Sequence, residues 1–170
     1  MSEINFEKVY DQYMDKIYRF VFVRVNSKET AQDLSSETFT RSFEYFAQNP
    51  AKSIDNVQAF LFRTALNLIT DYYRQKSRQN ISLDARVNNY GIHQIAAREE
   101  HTEVSVARSE QAQKIIAALR SIENEQANVV MWHYVEDLSI KEIAEISGRP
   151  EGTIRVMLHR GLKELRRLLL

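Results

Sequence analysis

Several residue sets in this chain could do chemistry, and all of them are suited to binding. Arg149, Arg155, His159, Arg160, Lys163 and Arg167 recur at helical spacing near the C-terminal end. From Arg149 to Leu170 six cations face two anions, in a chain whose formal net charge is zero. A basic face concentrated on one helix of a neutral protein is the electrostatic pattern of a nucleic-acid contact. A second set surrounds Tyr72 and Tyr73. Arg63, Arg74, Lys76 and Arg78 stand there against Asp71 alone. Aromatic rings among cations suit single-stranded nucleic acid, because bases stack on rings while cations hold phosphates. The plainer reading makes the tyrosines core residues, and for Tyr72 that reading is preferred. A third set is acidic: Asp33 and Glu37 lie one helical turn apart. Taken alone, that spot reads as a solvated helix face.

Catalytic chemistry has little support. The chain has no cysteine, which excludes disulfides, thiolate metal sites and a thiol nucleophile. Its four histidines, His93, His101, His133 and His159, are scattered and form no zinc-binding pair. No phosphate-cradling glycine loop and no nucleophile-elbow motif is present. No catalytic residue, no metal site and no cofactor is expected, and the chain does not read as an enzyme. The N-terminal stretch MSEINFEKVYDQY is acidic and amphipathic, unlike a signal peptide, and the apolar run Phe20 to Val23 is far too short to span a bilayer. A soluble cytoplasmic protein with no membrane association is expected.

The elements that must position these residues are helices. Four glycines and two prolines in 170 residues leave few tight turns for long sheets. Phe6, Val9, Tyr10, Tyr13, Ile17, Phe20, Val21 and Val25 predict an amphipathic helix over residues 5 to 26. Asn26-Ser27 ends it, and Ser27 is placed to cap a second helix, Lys28 to Gln48. That helix buries Ala31, Leu34, Thr38, Phe39, Phe43 and Phe46 and shows Asp33, Glu37, Arg41 and Glu44. Pro50 marks a loop from Asn49 to Asn56. Asp55 or Asn56 starts a third helix through Val57, Phe60, Leu61, Ala65, Leu68, Ile69 and Tyr72. From Ser77 to Ala107 the pattern dissolves into polar residues, with one short helix expected near Ile92 to Arg98. A structureless run of that length argues for a boundary between domains.

Order returns at Val106. Ala107, Ile115, Ile116, Ala118 and Leu119 predict a helix to Ser121. Ala127, Val130, Met131 and Tyr134 offer a core face to the next, Asn124 to Val135, with Trp132 at its edge. Ser139 and Glu142 have the form of a capping box, and Ile140, Ile143 and Ala144 follow as an apolar stripe. Gly148 breaks that helix, and Pro150 stands where another begins. Ile154, Met157, Leu158, Leu162 and Leu165 point the last helix inward. Ala144, Gly148 and Ile154 have the offsets of a DNA-binding helix-turn-helix. The alternative is a helical hairpin within an all-α core. The fold class is all-α: a three-helix domain over 1–78, a flexible linker over 79–106, and a four-helix domain over 107–170.

Three stretches together resemble the bacterial RNA polymerase sigma factors of the extracytoplasmic-function group. TAQDLSSETFTRSF (Thr30 to Phe43) and AFLFRTALNLITDYYRQ (Ala59 to Gln75) resemble segments of sigma region 2, and LSIKEIAEISGRPEGTIRVMLHRGLKELR resembles region 4. Some positions depart from the family's commoner residues: Gln32, Ser36, Phe60, Ser147, and the stretch IRVML with its Met157.

The resemblance implies roles. Asp33, Leu34, Glu37 and Arg41 would dock on the polymerase β′ clamp, which reverses the solvated reading of the acidic spot. Asn56, Arg63, Asn67, Asp71, Arg74, Lys76 and Arg78 would lie near −10 promoter DNA. The loop from Pro50 to Asn56 would capture a flipped base, where a protein pocket offsets lost stacking. Arg149, Glu151, Thr153, Arg155, Val156, His159, Arg160 and Lys163 would meet the −35 element. Thr153 and the helix start would hold phosphate, while Arg155, Val156 and His159 face base edges. The linker would thread toward the polymerase active-site cleft. Implied partners are core RNA polymerase, through its β′ clamp and β flap, promoter DNA and an anti-sigma factor, with the free chain a monomer. Two rivals remain: a free-standing helix-turn-helix regulator with an N-terminal effector or dimerisation domain, and a helical adaptor with no nucleic-acid role.

Overall fold

The computed structural model describes residues 4–50, 54–83 and 109–170. Seven helices make up the secondary structure of the described residues: α1 (Phe6–Val25), α2 (Lys28–Gln48), α3 (Val57–Leu83), α4 (Glu110–Ser121), α5 (Asn124–Tyr134), α6 (Ile140–Ser147) and α7 (Glu151–Leu169). The all-α expectation therefore holds. Packing groups the chain into two units. Residues 1–53 and 64–102 belong to the first, and residues 54–63 and 103–170 to the second. The expected short helix at 92–98 and most of the expected linker lie outside the described residues.

In the first unit, α1 turns back into α2 through two residues. Asn26 takes a left-handed backbone (φ 53°) and its N–H donates to Phe22 O at 3.0 Å. Asparagine tolerates that conformation better than most residues. Ser27 then caps α2, its Oγ accepting from Thr30 N at 3.3 Å. The two helices pack on each other; Ile17, Phe20 and Val21 of α1 are fully buried, and so is a stripe of small residues on α2, Ala31, Ser35, Thr38 and Ser42. Small side chains let two helices pack closely. Two hydroxyls meet their hydrogen-bond requirement inside their own helix: Thr38 Oγ1 donates to Leu34 O and Ser42 Oγ to Thr38 O, both at 2.7 Å. Ala31 and Thr38 match the expected core, and Ser35 and Ser42 join it although the sequence reading does not include them. Phe6, Phe39, Phe43 and Phe46 stack along the open end of the pair, with Phe6 and Phe43 ring centres 4.8 Å apart. From Thr64 onward α3 contributes Ala65, Leu68 and Ile69, and the Tyr73 hydroxyl donates to Arg24 O.

In the second unit, the middle of α5 is buried on all sides. Ala127, Asn128, Val129, Val130, Met131 and Trp132 are consecutive and all inaccessible. A helix segment buried all round lies in the core, and α4, α6 and α7 pack on α5. Trp132 is 1% exposed, so it is central rather than at an edge, and its ring meets Phe62 edge-on at 6.3 Å. Tyr134 and Ile115, expected in the core, are instead 55% and 47% exposed. Both turn to solvent, a choice their own periodicity leaves open. Gly161 sits where α7 crosses α5. A Cβ there would come within 2.9 Å of Val130 Cγ2, so only glycine permits this approach.

Candidate nucleic-acid interface

The helix-turn-helix is built from local signals that agree. Ser139 Oγ accepts from Glu142 N at 3.2 Å, and Glu142 Oε2 accepts from Ser139 N at 2.8 Å, which completes the predicted capping box. The Ser139 N–H is the main reason the Glu142 carboxyl titrates below its ordinary range, with the Asn56 amide adding to it. Gly148 ends α6 in the left-handed region (φ 67°), its N–H returning to Ala144 O at 2.9 Å. Pro150 precedes α7 as its N-cap, and its carbonyl accepts from Thr153 N and Ile154 N at 3.0 and 3.1 Å. Ile154 is fully buried behind the turn. Ser147, at a position of departure, spends its hydroxyl on Ile143 O at 2.8 Å.

This frame leaves one face of α7 in solvent. Arg155, His159, Arg160 and Lys163 are exposed there, together with Val156, 48% exposed. Thr153 and Met157 are half-buried. Arg149 and Glu151 are exposed at the entrance to the helix. Carboxylates accompany the arginines. Glu151 Oε2 accepts from Arg155 Nη2 at 2.9 Å, and both oxygens of Glu125, from α5, accept from Arg149 Nη2 at 2.6 and 2.7 Å. Arg167 donates twice to Glu164, which holds that carboxyl below its ordinary range. Arg160 and Lys163 line an open groove with Glu123 and Glu164. Glu125 carries no sequence signal of this role, because its partner lies 24 residues away in a different element.

The set assigned to −10 DNA falls on α3. Arg63, Asn67, Asp71, Arg74 and Arg78 are all exposed and recur at three- and four-residue steps, so they share one helix face. The helix continues past Arg78 to Leu83, which keeps that face on one uninterrupted element. Asp71 and Arg74 approach to 3.5 Å. Lys76 Nζ lies 5.8 Å from the centre of the half-buried Tyr72 ring, and Tyr73 meets Tyr72 edge-on. Asn56 and Arg63 belong to the second packing unit, and Asn67 to Arg78 belong to the first. Asn56 caps α3, its Oδ1 accepting from Ala59 N at 2.8 Å, and its Nδ2 donates to Glu142 Oε1 at 2.7 Å. Of the loop from Pro50 to Asn56, residues 51–53 lie outside the described residues.

The set assigned to polymerase docking lies on α2. Asp33 and Arg41 are exposed, and Leu34 and Glu37 are half-buried. Asp33, Glu37 and Arg41 follow one another by four residues on one face, and Arg41 Nε donates to Glu37 Oε1 at 2.6 Å. The spot is therefore a charged patch with a built-in ion pair rather than purely acidic.

These features define a helical DNA-binding protein in which a helix-turn-helix ends the chain and a second basic helix precedes it. The Sigma-70 region 2 family matches residues 9–79, and the Sigma-70 region 4 family matches residues 112–165. The chain is 30% identical over 171 residues to the ECF RNA polymerase sigma factor SigW of Bacillus subtilis, covering 96% of this chain and 88% of SigW. It is also 30% identical over 165 residues to the ECF RNA polymerase sigma factor BldN of Streptomyces coelicolor, covering 96% of this chain and 60% of BldN. Among solved structures, the sigma factor RpoE bound to the anti-sigma factor NepR, from Bartonella quintana, has the same fold. Its TM-score is 0.73 at 19% identity, over 97% of this chain and 96% of RpoE. The chain belongs to the ECF sigma factors, the promoter-directing subunits of bacterial RNA polymerase.

Proposed function

We propose that this chain binds core RNA polymerase and directs it to a specific set of promoters. Residues 1–78 bind the polymerase and recognise and melt −10 DNA, residues 79–106 link the domains, and residues 107–170 read the −35 duplex. The observation that carries this reading is the order of the two family matches, region 2 before region 4, in a chain whose last helix keeps its basic face in solvent. A free-standing regulator would need an effector or dimerisation domain where region 2 stands, so that alternative is not favoured. An adaptor without a nucleic-acid role is likewise at odds with two sigma regions.

Asp33, Leu34, Glu37 and Arg41 meet the β′ clamp, and the second domain meets the β flap. Asn67, Asp71 and Arg74 work at melted −10 DNA, with Arg63, Lys76 and Arg78 also at that DNA and Asn56 in the base-capture loop. At the −35 element, Thr153 and the start of α7 hold phosphate while Arg155, Val156 and His159 face the base edges. Separate weak contacts suffice, because polymerase holds both DNA-reading parts near their sites and converts the second contact into an intramolecular one. The chain performs no catalysis of its own and acts in the cytoplasm. Among the described residues no helix is long and apolar enough to cross a membrane. RpoE was solved with the anti-sigma factor NepR and CnrH with the cytosolic domain of CnrY, and an anti-sigma regulator is proposed here for an otherwise monomeric chain. Run-off transcription on a promoter library, with core polymerase alone and with this chain added, tests the proposal. Promoter-selective transcripts that require the chain are expected; a transcript pattern unchanged by adding it overturns the reading.

A further inference from the structure

Arg149 is held differently from the other cations near α7. Its backbone is fixed between the left-handed Gly148 and the extended Pro150, and its own N–H reaches Ala144 O at 3.3 Å. Its guanidinium meets the carboxylate of Glu125, in the first turn of α5, with Nη2 donating to both oxygens. The pair Arg155–Glu151 stays within one helix turn, whereas this pair ties the reading turn to the core helix. Both side chains of the tie are about half exposed, at 43% and 51%. An exposed ion pair of this kind contributes little to stability, because water screens it. Its geometric effect is larger. The guanidinium is planar, so fixing one terminal nitrogen fixes the direction of the remaining donors.

We infer that Glu125 is a positioning residue for −35 recognition: it orients the Arg149 guanidinium at the entrance to α7 and tempers its attraction for DNA phosphate of any sequence. This rests on the proposed −35 reading. A guanidinium released from Glu125 keeps its charge and gains freedom. It then binds backbone phosphate indiscriminately, which raises non-specific affinity and its salt dependence while lowering discrimination.

The test uses the full chain assembled with core polymerase. Binding is measured to a promoter with an intact −35 element, to the same promoter with that element scrambled, and to unrelated duplex, across a salt series. The variants are Glu125→Gln, Glu125→Ala, Arg149→Ala and the double variant Glu125→Gln with Arg149→Ala. Glu125→Gln and Glu125→Ala are expected to lower the intact-to-scrambled ratio by about fivefold, within the range set by one oriented side chain, and to raise affinity for unrelated duplex. Arg149→Ala lowers the ratio and also lowers affinity for unrelated duplex, and the double variant behaves as Arg149→Ala. A structural role for Glu125 would instead weaken all three bindings together and lower the melting temperature, which overturns the inference. An unchanged ratio in both Glu125 variants, with a lowered ratio in Arg149→Ala, overturns it while leaving the −35 reading in place. An unchanged ratio in Arg149→Ala removes Arg149 from −35 reading, and the inference falls with it.

Discussion

Gly161 shows how much a single residue can decide. Its missing Cβ is what lets α7 approach Val130 and Gln126 of α5, with the Cβ and the carbonyl oxygen of Gln126 each 3.3 Å from where that carbon would be. Gly161→Ala removes a helix-weakening glycine, a gain of about 1 kcal/mol, but it forces a contact that the buried, β-branched Val130 side chain resists. Overpacking of a core costs about 1–3 kcal/mol, so net destabilisation is expected, and Gly161→Val should be worse. A thermal melt in which Gly161→Ala equals or exceeds the parent would show that α5 yields. Arg155 works at the same scale in the opposite environment. It is exposed, its ion pair with Glu151 stays within its own helix, and replacement by alanine should leave folding intact. If its guanidinium reads a base in two bonds, Arg155→Ala weakens −35 selectivity by about 1–3 kcal/mol. Unchanged promoter choice among −35 variants would remove it from the reading set.

The element on which the proposed −35 interface depends is α6, only eight residues long and therefore reliant on its caps. Ser139→Ala removes the acceptor for Glu142 N and should cost about 1 kcal/mol, read as a lower melting temperature of the full chain. The capping partner predicts a pH dependence. Glu142 titrates below its ordinary 4.5 in the folded protein because the Ser139 N–H, with the Asn56 amide, favours the charged form. Its contribution is therefore complete above the unfolded value and is lost as pH falls through the lowered one. Glu142→Gln should melt earlier than the parent near neutral pH, and the gap should close on acidification. A gap that stays constant with pH would show that the carboxylate charge contributes nothing. On α3, Ala substitution of Asn67 and Arg74 should slow promoter opening more than closed-complex formation, since both are exposed on a face proposed to meet melted DNA. Equal effects on both steps would argue for a duplex contact instead.

At the scale of the whole molecule, the proposed function has two DNA-reading parts and one polymerase-docking face acting together. The docking face is the simplest to isolate. Asp33 is exposed and Glu37 is held by Arg41, so replacing both carboxylates by arginine reverses the charge of the patch without touching the α1–α2 core. The double variant should keep its helical circular dichroism and fail to co-purify with core polymerase. Normal co-purification would move the docking face elsewhere. Formal neutrality of the chain agrees with this division of labour, since a protein delivered to DNA by a larger enzyme has no need of a strong charge of its own.

Local interactions were legible in the amino-acid order because their causes lie within a few residues. The Asn26-Ser27 turn, the Ser139–Glu142 box, the Gly148 break and the seal at Ile154 all depend on neighbours three to six positions away, and each stands where spacing put it. The family itself followed from three such stretches in order. Residue-level chemistry between helices followed different rules. A helix with apolar residues on more than one side does not say which side meets a partner, so Tyr134 and Trp132 exchanged their expected places. Ser35 and Ser42 are polar by type and buried by size, because closeness of approach selected them. The Arg149–Glu125 pair joins residues of opposite charge from separate helices, and any of the chain's 23 acidic residues could have filled that place on charge alone. Short-range geometry is written in the order of residues, whereas the pairing of distant side chains exists only once packing has brought their helices together.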